Sequence, residues 1–128
     1  MTQVIDITTP LEALQRDVWQ TAENSGWHEN PRSIGEEIAL MHSELSEALE
    51  EVRIDSPAIY YRNDGGVTSD PSTGGVLNKT EGVAAEFADV IIRILDTAES
   101  RGIPVIEALL HKAEYNKTRS YRHGGKLL

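Results

Sequence analysis
The chain has 128 residues, 39% of them hydrophobic, which is the size of a single domain with a core of its own. Its formal net charge of −9 argues against a nucleic-acid polymer as partner, because a phosphate backbone needs a basic face. It holds no cysteine, which excludes disulfides and zinc–thiolate sites, and it shows neither a signal peptide nor an apolar run long enough for a membrane span, so a cytoplasmic location is expected.

Thr9, Pro10, Leu11 and Glu12 have the pattern of a helix start, with Thr9 as cap, Pro10 in the first turn and Glu12 closing a capping box. Leu11, Leu14, Val18 and Ala22 would form the buried stripe of that helix, and Gly26 stands just past its end. Residues 26–32 then read as a linker that carries Trp27. A loop tryptophan either plugs the edge of a core or stacks on a nucleobase. Trp27 is therefore a candidate substrate-binding residue.

Ser33 and Glu36 form a second capping box and open a long helix that runs to Arg53. At about 100° per residue, Ile34, Ile38, Met41, Leu45, Ala48 and Val52 share one stripe, which is expected to face the core. Glu37, Glu44, Glu47 and Glu51 run along one edge of that stripe, with Leu40 among them, while His42, Ser43, Ser46, Glu50 and Arg53 face water. Carboxylates so close on one helix repel one another, and a cation would relieve the repulsion.

Residues 54–80 carry the breaker clusters Asn63-Asp64-Gly65-Gly66 and Asp70-Pro71-Ser72-Thr73-Gly74-Gly75. They are expected to form a long irregular loop, either a lid anchored by Ile59, Tyr60 and Tyr61 or a tolerated insertion.

A second acidic helix is expected from Thr80 or Glu81. It places Glu86 and Asp89 three apart in a segment otherwise apolar from Val83 to Leu95 save for Arg93, as Glu44 and Glu47 are three apart on the first. Packing of the two apolar stripes would bring both acid pairs to one seam. Hard divalent cations with oxygen ligands suit such a set, and Mg²⁺ in particular combines carboxylates with phosphates. Ile91, Ile92 and Leu95 leave this helix apolar on nearly every side, so contact with another subunit is expected. Gly102 ends it. Pro104 opens a fourth helix on which Lys112, Asn116 and Arg119 lie within about 60° of one another, and residues 120–128 read as a basic tail. The three polar residues either clamp phosphate or complement the dipole of a helix end.

Glu44-x-x-Glu47, then Glu86-x-x-Asp89, then Lys112-x-x-x-Asn116-x-x-Arg119, in that order in a chain of this size, resembles the MazG-like all-α nucleoside triphosphate pyrophosphatases. The resemblance covers roughly Pro31 to Lys126. It implies an all-α, antiparallel four-helix bundle, assembled as a dimer or tetramer, that cleaves a (d)NTP to the monophosphate and pyrophosphate with Mg²⁺, Mn²⁺ being a possible substitute. It further implies that Glu44, Glu47, Glu86 and Asp89 ligate the metal, and that Lys112, Asn116 and Arg119 hold phosphates. Glu47 is the candidate to orient the attacking water, and removal of unwanted nucleotides from the pool is the expected task. Ser43 stands where many members carry a further Glu, and residues 54–80 lengthen the usual spacer. Phosphoribosyl-ATP as substrate, or a non-catalytic metal- or nucleotide-binding regulator on the same bundle, are the alternatives.

Overall fold
A computed structural model describes residues 8–119 and 121. Among the described residues, four helices, α1 (Thr8–Asn24), α2 (Ile34–Arg53), α3 (Val83–Arg101) and α4 (Val105–Lys117), frame five short strands. The strands are β1 (Tyr60–Asn63), β2 (Gly66–Thr68), β3 (Ser72–Thr73), β4 (Val76–Leu77) and β5 (Lys79–Glu81). The fold is therefore mixed helix and sheet, which corrects the expected all-α four-helix bundle. The basic tail lies outside the described residues except for Tyr121.

The capping box of α2 is present: Ser33 Oγ accepts from Glu36 N at 3.1 Å, and the Glu36 carboxylate accepts from Ser33 N. Thr9, by contrast, lies inside α1 rather than at its cap. α3 starts at Val83, later than expected, because Lys79–Glu81 pair as a strand.

The segment read as an irregular loop is an ordered arm. β2, β1 and β5 form a three-stranded antiparallel sheet, and β3 and β4 form a separate hairpin. The breaker clusters are its turns. Asn63 pairs with Gly66 around Asp64-Gly65, and Asn63 Oδ1 accepts from Gly65 N at 2.8 Å. Thr73 pairs with Val76 around Gly74-Gly75, both at positive φ (60° and 79°), a tight hairpin turn that favours glycine. Tyr60 ties the arm to α2 by donating its hydroxyl to the Glu51 carboxylate, at 3.3 Å from each oxygen. Ser56 donates to the same carboxylate.

α3 is the central helix, with α2 and α1 packed against it and α4 leaning on α1. The core is thin, consisting of Ala22, Ala48, Ala85, Leu95, Ala98 and Ile106 among the described residues. The expected core stripe of α2 is for the most part not in it. Ala48 is buried and Met41 half-buried, but Ile34, Ile38, Leu45 and Val52 are 41–61% exposed. What faces α3 is the row beside the stripe, in which Glu37, Leu40, Glu44 and Glu51 are half-buried. Glu44 and Glu37 of that row pair with Arg93 and Arg101 of α3, and the larger apolar residues of the stripe turn outward. Phe87 and Ile91 of α3 are exposed as well.

Candidate metal centre
Glu44 comes from the middle of α2, and Glu86 and Asp89 from the first two turns of α3. One carboxylate oxygen from each lies within 4.8 Å of the others. Burial falls from one to the next: the Glu44 side chain is 12% exposed, Glu86 is half-buried and Asp89 is exposed, so the cluster opens to solvent on one side. Glu47, the fourth expected ligand, is exposed and stands beside Glu86 rather than within this triad.

The electrostatics match a crowded carboxylate site. Burial, then a hydrogen bond and charge shared with Glu47, then the charge of Asp89, push Glu86 from 4.5 up to about 7. Burial and the Glu44 charge raise Asp89 too, against the opposing charges of Arg93 and Lys79. Glu86 Oε2 is buried without a hydrogen-bond partner. An orphaned, buried carboxylate oxygen beside two others is a donor set suited to a hard divalent cation, so the residues present fit Mg²⁺.

Arg93, one turn after Asp89, donates from Nε to Glu44 Oε1 at 2.9 Å. Its guanidinium lies 5.9 Å from the centre of the Trp27 ring. Trp27 and Arg93 line a cleft of about 510 Å³ together with Asn30, Arg32 and Glu36. The linker is held in place from three sides. Trp27 N donates to Ala22 O, Arg101 donates to the carbonyl of Arg32 at 2.8 Å, and His28 sits between Glu23 (2.5 Å) and Asp96 (2.9 Å). Burial disfavours the His28 cation, but hydrogen bonds to Glu23 and Asp96 and both carboxylate charges outweigh it and raise the imidazole pKa. Trp27 itself is 53% exposed, so it presents its ring to the cleft instead of plugging the core.

The chain does not bring Lys112, Asn116 and Arg119 to this centre. All three are exposed on or just past α4, every described residue from His111 onward is exposed, and α4 packs on α1. Asn30 and Arg32 line the cleft without any spacing signal, because their neighbours there come from distant parts of the chain. Arg93 had such a signal, as the one basic residue of the apolar segment from Val83 to Leu95. No described helix is long and apolar enough to cross a membrane. Comparison with protein-family models, with characterised proteins and with solved structures brings no match.

Proposed function
We propose that this protein is a Mg²⁺-dependent nucleoside triphosphate pyrophosphohydrolase of the MazG-like kind. The observation that carries the reading is the convergence of Glu44, Glu86 and Asp89 within 4.8 Å, with one buried oxygen of Glu86 lacking a partner. Mg²⁺, or Mn²⁺ in its place, would be held by these three residues and would supply charge neutralisation and Lewis-acid polarisation of the phosphates. Glu47 borders the triad and is exposed, and its role is to accept a proton from the water that adds to the α-phosphorus. The bond from that phosphorus to its bridging oxygen breaks, and pyrophosphate leaves with the electron pair. Arg93 balances charge beside the cluster, and Trp27 offers a ring face to the nucleobase over the adjoining cleft.

A homo-oligomer belongs to this reading. The exposed apolar residues of α2 and α3 are a surface for a second copy, as dimer or tetramer, and a second copy is the source from which Lys112, Asn116 and Arg119 would reach the phosphates. Pyrophosphate release from each common ribo- and deoxyribonucleoside triphosphate and from phosphoribosyl-ATP, with and without Mg²⁺, tests the proposal. Mg²⁺-dependent pyrophosphate release that is lost in Glu86→Gln supports it. Nucleotide binding without any turnover would identify a regulator instead.

A further inference from the structure
His28 bridges two helices from the middle of the linker. Its Nδ1 lies 2.5 Å from Glu23 Oε2 at the end of α1, and its Nε2 lies 2.9 Å from Asp96 Oδ1 on α3. A neutral imidazole has one N–H and one lone pair, so it can donate to only one of two carboxylates. The other carboxylate would then face a lone pair at hydrogen-bond distance. Only the imidazolium donates from both nitrogens, so the contacts are those of the cation. The Trp19 ring stacks on the imidazole with centroids 5.6 Å apart, a further contact that favours a cation. The His28 side chain is 24% exposed, so water can take and return its proton.

The charges around His28 are mixed. Glu99 of α3 shares one groove with His28, Trp19 and Glu23 and adds to the acidic side. Arg32 of the linker and Arg101 of α3 share a second groove with His28 and Asp96, and they oppose the cation. Arg101 is engaged by Glu37 of α2 at 3.3 Å and by the Arg32 carbonyl. The carboxylate of Glu29, the next residue, lies instead beside Gly26. The two carboxylates in direct contact prevail, and the imidazole pKa stands above 6.5.

The bridge holds one wall of the cleft. The linker contributes Gly26, Trp27, Asn30, Pro31 and Arg32 to it, opposite Glu36 of α2 and Arg93 of α3. Backbone bonds to α1 hold Gly26 and Trp27, and Arg101 holds the carbonyl of Arg32. The side chain of His28 is the tie between them.

We propose that His28 is a pH-sensitive latch: as an imidazolium it locks the linker to α1 and α3 and holds Trp27 at the cleft, and on losing its proton to solvent it lets one carboxylate go and frees that wall to move. The latch is closed below 6.5 and opens as pH rises through the raised value. It works whatever ligand the cleft takes, and so stands apart from the pyrophosphohydrolase reading.

The test is an NMR titration across neutral pH that follows the His28 ring protons and the Trp27 indole N–H. The proteins are the wild type, His28→Gln, Glu23→Gln and Glu86→Gln. In the wild type the two signals should move together, with one midpoint above 6.5. In His28→Gln the Trp27 signal should lose that transition and stay near its high-pH position throughout. Glu23→Gln is a conservative change at a side chain 48% exposed. There the His28 midpoint should fall and the Trp27 transition should shrink, because an amide can donate to a neutral ring nitrogen as well as accept from a protonated one. Glu86→Gln should keep both transitions, which separates the latch from titration of the acid cluster. A Trp27 signal that does not follow His28 in the wild type, or a Trp27 transition that survives in His28→Gln, overturns the proposal. A His28 midpoint at or below 6.5 does so as well.

Discussion

Arg93 and Glu44 close an ion pair at 2.9 Å across the seam between α2 and α3, with side chains 24% and 12% exposed. The pair neutralises one of the three clustered carboxylates while leaving Glu86 and Asp89 open. Arg93→Met should therefore act in two opposite ways. The protein without metal loses about 2 kcal/mol, the scale of a charged hydrogen bond whose partner is left half-buried. Mg²⁺ binds more tightly, because the site regains a full negative charge. Thermal melts with and without Mg²⁺ read both effects, and a variant that is destabilised equally in both conditions would contradict the second.

The raised pKa of Glu86 gives stability a defined pH dependence. A carboxyl held at about 7 in the fold, against 4.5 ordinarily, favours the protonated folded state. Its contribution is complete below 4.5 and is lost as pH rises through about 7. The upward shifts of Asp89 and His28 have the same sign. Metal binding runs the other way, since the ligands must lose their protons first, so Mg²⁺ affinity should climb over the same window. Glu86→Gln should abolish that binding and flatten the part of the stability profile that belongs to Glu86. Melting curves collected across the window, with and without Mg²⁺, should diverge in slope for the wild type and coincide for the variant.

The uncovered faces of α2 and α3 predict self-association. Ile38 and Leu45 are each 45% exposed on one side of α2, and Phe87 and Ile91 are exposed on α3. Ile38→Lys combined with Leu45→Lys should leave the α2–α3 seam intact, because neither residue lies in it, yet dissociate the assembly. Sedimentation would then show a monomer where the wild type shows an oligomer. A wild type that sediments as a stable monomer at micromolar concentration contradicts the expectation.

Gly82 joins the arm to α3 at φ 101°, with no room for a side chain against Ala58 O. Gly82→Ala should cost about 2–3 kcal/mol through left-handed backbone strain and the clash together. It should also displace β5, so hydrogen exchange ought to speed up at Lys79–Glu81 while the far end of α3 stays protected. Uniform loss of protection would mean that the arm and the helix unfold as one unit.

The acid pairs were legible because helical periodicity is local. Glu44 and Glu47, and Glu86 and Asp89, share helix faces by spacing alone, and three of the four converge as that spacing suggested. The Ser33 capping box was readable for the same reason. The arm was not readable: strands of two to four residues have too few positions to display alternation, and their Gly-, Asn- and Asp-rich turns look like any loop. The direction of the α2 apolar stripe was misread because periodicity says which residues share a face, not what that face meets.

The sequence by itself determined the helices, the faces on which their acids lie and the capping of α2, since each depends on residues within one or two turns. Only the tertiary structure decided the partners. It set Arg93 against Glu44, 49 residues apart, and His28 against Asp96, 68 apart. It also set Lys79 opposite Arg62, and left Lys112, Asn116 and Arg119 in solvent. Contacts between elements depend on which faces pack and at what distance. Those choices are made by the energy of the whole chain, which closes the acidic row of α2 on α3 through Glu37–Arg101 and Glu44–Arg93 while the larger apolar side chains of α2 stay outside.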